Sequence, residues 1–280
     1  MRTAVVDVGG DLRGVYASGV FDRCLDENIR FHGGIGVSAG SANIASYLAG
    51  QRGRNYQFYT EYSFRKEYMG IRNFLKKKTY IDMDYLYGTL SNNDGENPLD
   101  YRALAANPAE FIAVATNAET GNAKYFDKTS IKMDNYDILK ASCSIPFVCR
   151  PYMINGTPYY DGALSDPVPI EKAFSLGYEK VVLILTKPRD FIRTPEKDEK
   201  LAERIQKKYP LAAKQLRLRA QNYNEGIELA KLCEKEGRIL IVAPDDTCGV
   251  DTLIRNKKAL KRFYEKGYQD GGSIVSFLEE

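Results

Sequence analysis

The residues best suited to covalent chemistry lie in Gly36-Val37-Ser38-Ala39-Gly40. This is the Gly-x-Ser-x-Gly spacing of a serine on a tight strand-to-helix turn, where the hydroxyl stands at the carboxyl edge of the strand. Gly36 and Gly40 remove side chains where strand and helix would collide. The first turn of the following helix aims N–H groups at developing negative charge. A structural serine in a glycine-rich turn is the plainer alternative. The strand-like Gly34–Val37 before it and the helix-forming stretch after it favour a nucleophile.

Attack on an ester leaves a negative oxygen that needs donors. Gly9-Gly10-Asp11-Leu12-Arg13-Gly14 follows the first apolar run, and its glycines let several backbone N–H groups turn inward as an anion-binding nest. Gly9, Gly10 and Asp11 are the candidate donors, with the amides around Gly10 and Asp11 favoured. Arg13 either braces this loop or meets an anionic substrate. Asp7 braces it, faces solvent or caps a helix. The loop is not in register with G-x-G-x-x-G or G-x-x-x-x-G-K-[ST], which argues against a nucleotide site.

The serine needs a base within hydrogen-bond reach. The only histidine, His32, lies six residues before Ser38. At ~3.3 Å per extended residue it stands roughly 20 Å away, so a structural or surface role is expected of it. Asp161-Gly162-Ala163 holds the best carboxylate, with Gly162 permitting close approach to the nucleophile turn. Asp7, Asp11, Asp166 and Lys140 remain alternatives on spacing alone. An ordinary carboxylate is a weak base near neutral pH, so limited solvation would help it.

The elements that must hold these groups follow from periodicity. Strands are expected at Thr3–Val8, Gly34–Val37, Phe111–Thr116, Val181–Leu185 and Ile239–Val242. Lys124–Phe126 is expected to return as a hairpin partner, and Tyr152–Tyr160 turns at Asn155-Gly156. Helices are expected at Val15–Glu27, Ala39–Leu48, Tyr136–Ala141 and Arg255–Lys266. A charged helical region spans about Lys197–Glu236, interrupted near Pro210. The opening order of strand, helix, strand, sharp turn and helix marks an α/β sheet. Residues 51–100 differ: seven tyrosines with Phe58, Phe64 and Phe74 suit either a cap over the site or ordinary helix packing. The expected organisation is one domain over 1–280, with this tyrosine-rich helical insertion and a mainly helical part from about 196.

Composition bounds the partners. The chain has 280 residues, 44% apolar, and a net charge of +3, which suits one large core. Lys76-Lys77-Lys78 and Lys257-Lys258 are too short for a nucleic-acid stripe, so no nucleic-acid partner is expected. Five cysteines without a C-x-x-C spacing argue against a disulfide framework or a zinc knuckle. MRTAVVDVGG has no apolar leader, and no run approaches ~20 apolar residues. A cytoplasmic, soluble protein is expected, compatible with peripheral contact at the inner membrane face; oligomeric state stays open.

Gly9–Gly14, Gly36–Gly40 and Asp161-Gly162-Ala163, with the small-residue stretch Ala141–Pro146, together resemble the bacterial-type patatin-like phospholipases over residues 5 to about 185. The resemblance implies a three-layer α/β/α sandwich with a mostly parallel central sheet. It implies a histidine-free dyad, Ser38 as nucleophile and Asp161 as base, with the glycine loop as oxyanion site and no metal or cofactor. The implied substrates are acyl esters of phospholipids, lysophospholipids or neutral lipids. Acyl transfer by the same dyad and a non-catalytic lipid-binding scaffold are the alternatives. One departure falls in the loop: the family's Asp followed by three glycines is here Asp7-Val8-Gly9-Gly10-Asp11, so Val8 or Asp11 replaces a glycine. A second is Ala163 in place of glycine.

Overall fold

The computed structural model describes residues 1–253 and 255–279. β1 (Thr3–Asp7) leads to α1 (Gly14–Asp26), and β2 (Gly33–Val37) turns directly into α2 (Ala39–Leu48). Residues 51–100 carry α3 (Arg54–Thr60), α4 (Ile71–Lys77) and a π-helical turn at Tyr85–Leu90. α5 (Tyr101–Ala106) returns the chain to β3 (Glu110–Asn117), which folds back as β4 (Ala123–Asp127). Next come α6 (Asp137–Ser142), the hairpin β5 (Tyr152–Ile154) and β6 (Thr157–Asp161), α7 (Ile170–Ser175) and β7 (Lys180–Ile184). The chain ends with α8 (Glu196–Gln206), α9 (Pro210–Lys235), β8 (Ile239–Val242), α10 (Lys257–Asp270) and α11 (Ser273–Glu279).

One sheet runs β5-β6-β3-β2-β1-β7-β8, with β4 paired to β3. β3, β2, β1, β7 and β8 are mutually parallel; β4, β5 and β6 make the antiparallel margin. β4 lies along Ile112–Thr116 of β3. The other edge of β3 is therefore shared: β2 pairs with Glu110–Val114 and β6 with Ala115–Asn117.

The strands are buried on both faces, as parallel strands between helix layers must be. Val5, Ala113, Val182 and Ile184 join α1, α2 and α10 in one core. Ala4, Val6, Ile112, Val114, Val181 and Leu183 pack with α7 and α9 in the other. The result is an α/β/α sandwich. A third cluster joins Tyr160, Leu164 and Ala118 to Ala202 of α8, Leu216 of α9 and Tyr209 between the two helices.

The interruption expected near Pro210 is the break between α8 and α9, and Pro210 itself opens α9 at its first turn, where the missing N–H is harmless. The last long helix starts at Lys257 because Asn256 Oδ1 accepts from the Lys258 and Ala259 amides at 3.1 and 3.2 Å. It continues past Lys266 because Gly267 is inside it, pressed on α1. A Cβ there would stand 2.0 Å from the Tyr16 carbonyl. α7 and α11 were not expected from the pattern, being only six and seven residues long.

Replacing Gly267 by alanine should force α1 and α10 apart and destabilise the chain by about 1–3 kcal/mol, as overpacking does. Urea unfolding checks this; an unshifted midpoint would show that the helices yield freely.

Candidate active site

Ser38 lies between β2 and α2 with φ 56° and ψ −132°, a left-handed backbone that a non-glycine residue holds only under constraint. It is 7% exposed. The constraint has identifiable sources. Ser142 Oγ accepts the Ser38 N–H at 3.0 Å and donates to the Val114 carbonyl at 2.7 Å, tying the turn to β3. Ser41 Oγ donates to the Ser38 carbonyl at 2.7 Å. A side chain on Gly36, Gly40 or Gly162 would meet backbone at 2.2 to 2.3 Å, so all three positions need a bare Cα.

Asp161 reaches the turn by register. Val37 pairs with Val114, and the next residue of β3, Ala115, pairs with Asp161. β2 and β6 thus arrive head to head on one strand edge, and Ser38 is the residue just beyond the first of them. The Asp161 side chain is nearly fully buried. Its amide donates to the Ser144 carbonyl at 2.9 Å, its carbonyl accepts from Thr116 Oγ1 at 2.8 Å, and Oδ1 accepts the Ala163 amide at 2.8 Å. Burial raises the carboxyl above its ordinary range; a hydrogen bond from the Ser38 side chain, the Ala163 amide and the more distant Arg219 and Arg193 hold it back in part. Ser38 and Asp161 are therefore hydroxyl donor and desolvated acceptor, an arrangement in which the carboxylate is a stronger base than in water.

The glycine loop lies against the same turn. Gly9, Gly10 and Asp11 have φ of 68°, 134° and 53°. Asp7 is fully buried and braces this loop. Its carboxylate accepts the Gly9 amide at 2.9 Å and Asn43 Nδ2 at 3.0 Å, and Asn43 also donates to the Gly14 carbonyl at 3.1 Å. Burial lifts the Asp7 carboxyl to about 6 against those two hydrogen bonds. Because the Gly9 N–H faces Asp7, the amides of Gly10 and Asp11 are the better placed donors for an oxyanion. Thr186 Oγ1 holds the Gly9 carbonyl at 2.5 Å. Arg13 braces rather than waits: Nη1 donates to Thr252 Oγ1 at 2.6 Å and lies 3.5 Å from Asp251.

Ser38, Asp161, Gly9, Gly10, Asp11 and Arg13 line one open cleft of about 450 Å³, in the size range of small-molecule sites. Its far wall comes from the chain after β7: Lys187, Arg193, Lys197 and Arg219. Of the other base candidates, Asp11 lines this cleft and Asp7 is taken up by its loop, while His32, Asp166 and Lys140 lie elsewhere. His32 is exposed, its Nδ1 accepting from the Thr3 amide at 3.1 Å. Asp166 accepts from Tyr125 Oη at 2.6 Å in a different cavity. Lys140 is held by Asp84 at 2.9 Å and Asp137 at 3.3 Å.

A family model described as patatin-like phospholipase matches residues 8–174. The chain belongs to the patatin-like phospholipase family. That membership classes it with the patatin-like esterases and phospholipases. A second model, a domain of unknown function (DUF6363), matches residues 209–280. The Escherichia coli (strain K12) protein YjjU is 28% identical over 200 residues, covering 70% of this chain and 55% of YjjU. The chain thus spans about half the length of that relative. The crystal structure of VipD from Legionella pneumophila superposes with a TM-score of 0.49 at 11% identity, covering 98% of this chain and 67% of that one. Among the described residues of this patatin-like chain, no helix is long and apolar enough to cross a membrane. No group of three or more His, Cys, Asp or Glu among them could hold a metal ion. The five cysteines are free thiols.

Ser142, Asn43 and Thr186 escape a residue-by-residue reading. Ser142 lies in the small-residue stretch already noticed, but nothing in its spacing says that its hydroxyl pins the nucleophile. Asn43 is the fifth residue of α2, a full turn beyond Ala39, and faces Asp7 only because the helix packs on β1.

Replacing Asp7 by alanine leaves the Gly9 amide and Asn43 Nδ2 without acceptors in a buried place. The expected loss is on the order of 2–4 kcal/mol, read from thermal or chemical unfolding; a stability equal to the parent would mean that water takes over both donors.

Proposed function

We propose that this chain is a serine hydrolase of lipid carboxylic esters, with Ser38 as nucleophile and Asp161 as base. The observation that carries the reading is the register on β3 that sets a hydroxyl on a constrained turn next to a buried carboxylate whose charge it favours, beside a glycine loop. Asp161 takes the Ser38 proton as Ser38 attacks the ester carbon. The Gly10 and Asp11 amides receive the oxyanion, and the alcohol leaves with the proton from Asp161. Water, deprotonated by Asp161, then releases the acid.

The space on the two sides of Ser38 is unequal. Residues 51–100 act as a cap on one side, where Tyr59, Tyr68 and Tyr87 line an enclosed cavity of about 40 Å³ that also touches Ser38. The part of the chain from about 196 contributes the wall of the open side. There Asp198 is fully buried; burial works against its charge, but Arg219 and Arg193 outweigh that and hold the carboxyl below the usual range. Lys187 has no carboxylate within 4 Å among the described residues. Its ammonium is pushed down to about 8 by burial and by the nearby Arg13 and Arg193 charges. A half-buried cation crowded by other cations favours a leaving group that brings negative charge, which points to phosphate-bearing lipid esters over neutral glycerides.

Hydrolysis of a chromogenic ester and of a lysophospholipid should fall roughly 10³-fold or more in Ser38→Ala, and steeply in Asp161→Asn, with folding retained. Near-parental turnover in either variant removes that residue from the mechanism. In Lys187→Met the ratio of kcat/KM for a lysophospholipid over that for a monoacylglycerol of equal chain length should fall about tenfold, and Lys187→Arg should restore it. An unmoved ratio would leave the head group unassigned.

A further inference from the structure

Asp11 stands in the site without a part in the dyad. It is, with Val8, one of the two loop positions at which the family's glycine run can be interrupted. Its side chain is 8% exposed, and it lines both the enclosed cavity and the open cleft, each of which also contains Ser38. One carboxyl oxygen, Oδ1, accepts a long hydrogen bond from Tyr68 Oη at 3.4 Å. The other, Oδ2, is buried with no partner among the described residues. The neighbouring guanidinium of Arg13 binds Thr252 and Asp251 through Nη1, and its Nε is likewise buried without a partner among the described residues. A buried carboxylate oxygen left without a donor is costly, whereas the neutral acid is not.

The groups around Asp11 agree. Tyr59 and Tyr68 from the insertion and Cys143 from the segment after α6 are all held well above their ordinary range by burial, and Cys149 beside it is pushed up to about 12. All four stay neutral through the physiological range. The charged neighbours are Arg13 on the same loop and Asp161 on β6. Burial pushes the Asp11 carboxyl up to about 7, Arg13 and Tyr68 hold it back in part, and Asp161 adds to the rise. Just below neutrality Asp11 is an acid with one O–H and no acceptor for it.

We propose that the Asp11 side chain is a third catalytic group, its neutral carboxyl donating its O–H to the carbonyl oxygen of the bound ester beside the Gly10 and Asp11 amides. This rests on the Ser38–Asp161 reading. As the Ser38 Oγ–carbon bond forms, the carbonyl π pair moves onto the oxygen and the Ser38 proton goes to Asp161. On collapse the pair returns, and the leaving alkoxide takes that proton. Asp11 keeps its own proton throughout and stabilises the oxyanion by a hydrogen bond that strengthens as charge builds. The sign of the pH dependence follows. Asp161 must be ionised to act, so it sets the acidic limb. Asp11 must be neutral, so turnover falls as pH rises through about 7, when its charge would oppose the oxyanion.

The test is the pH profile of kcat on a neutral chromogenic ester for the parent, Asp11→Asn and Asp11→Gly, with Ser38→Ala alongside. Both replacements accept the positive φ at this position. The parent should lose about tenfold between pH 6 and pH 8, one ionisation through about 7. Asp11→Asn, which keeps a donor and cannot ionise, should lose that limb. Asp11→Gly should lose the limb and also fall about 10²-fold at pH 6. A falling limb that persists in Asp11→Asn, or an Asp11→Gly protein as active as the parent at pH 6, overturns the proposal while Ser38→Ala remains inactive. Hydrolysis surviving in Ser38→Ala overturns the dyad itself and this inference with it.

Discussion

A single strand edge brings Ser38 and Asp161 together. β3 offers its first five residues to β2 in parallel and its last three to β6 in antiparallel, all on one side. Two chain segments more than a hundred residues apart are thereby stopped against each other at Val114 and Ala115. Ser38 leaves β2 at that junction, and Asp161 ends β6 there. Backbone ladders fix such a position far more tightly than side-chain contacts could, because a slip of one residue would turn Asp161 to the opposite face. The bare Cα positions at Gly36, Gly40 and Gly162 are consequences of that crowding, and so is the Ser142 hydroxyl that fills the gap between turn and strand.

Around this junction three carboxyl groups are buried within one loop and two strand ends, and their surroundings differentiate them. Asp7 is met by two N–H donors and serves as an acceptor that shapes the glycine loop. Asp161 is met by the Ser38 side chain and one amide. Asp11 is met by one distant hydroxyl and has an oxygen left over. Burial pushes all three upward; Asn43 and the Gly9 amide hold Asp7 back, the Ser38 hydroxyl and the Ala163 amide hold Asp161 back, and the Arg13 charge with Tyr68 holds Asp11 back. That is the means by which one residue type can brace, accept a proton or retain one within a single site.

The chain after residue 174 is integral to this arrangement. Tyr209 stacks edge-on against Tyr160 of β6, with ring centroids 5.7 Å apart, so α8 and α9 support the strand that delivers Asp161. Thr252 holds Arg13, and Thr186 holds the Gly9 carbonyl. The cationic wall of the cleft also comes from this part. The family core therefore contributes Ser38, Asp161 and the glycine loop, while the later segment stiffens them and adds the basic side chains of the cleft wall.

Much of this was legible in the sequence because it depends on local rules. Alternating or continuous apolar runs fell close to the strands, and Asn155-Gly156 turned where a two-residue hairpin must. The Gly-x-Ser-x-Gly spacing forced a sharp strand-to-helix turn. Spacing left Asp161 as one base among several; the resemblance chose it. What only the tertiary structure decided were the matters of distance between segments: that β2 and β6 share an edge of β3, that Asp7 faces inward, that Arg13 is already engaged, and that Asp11 is buried without a partner. Local propensity extends over a few residues, whereas burial, desolvation and hydrogen-bond supply depend on which remote segments the sheet brings together.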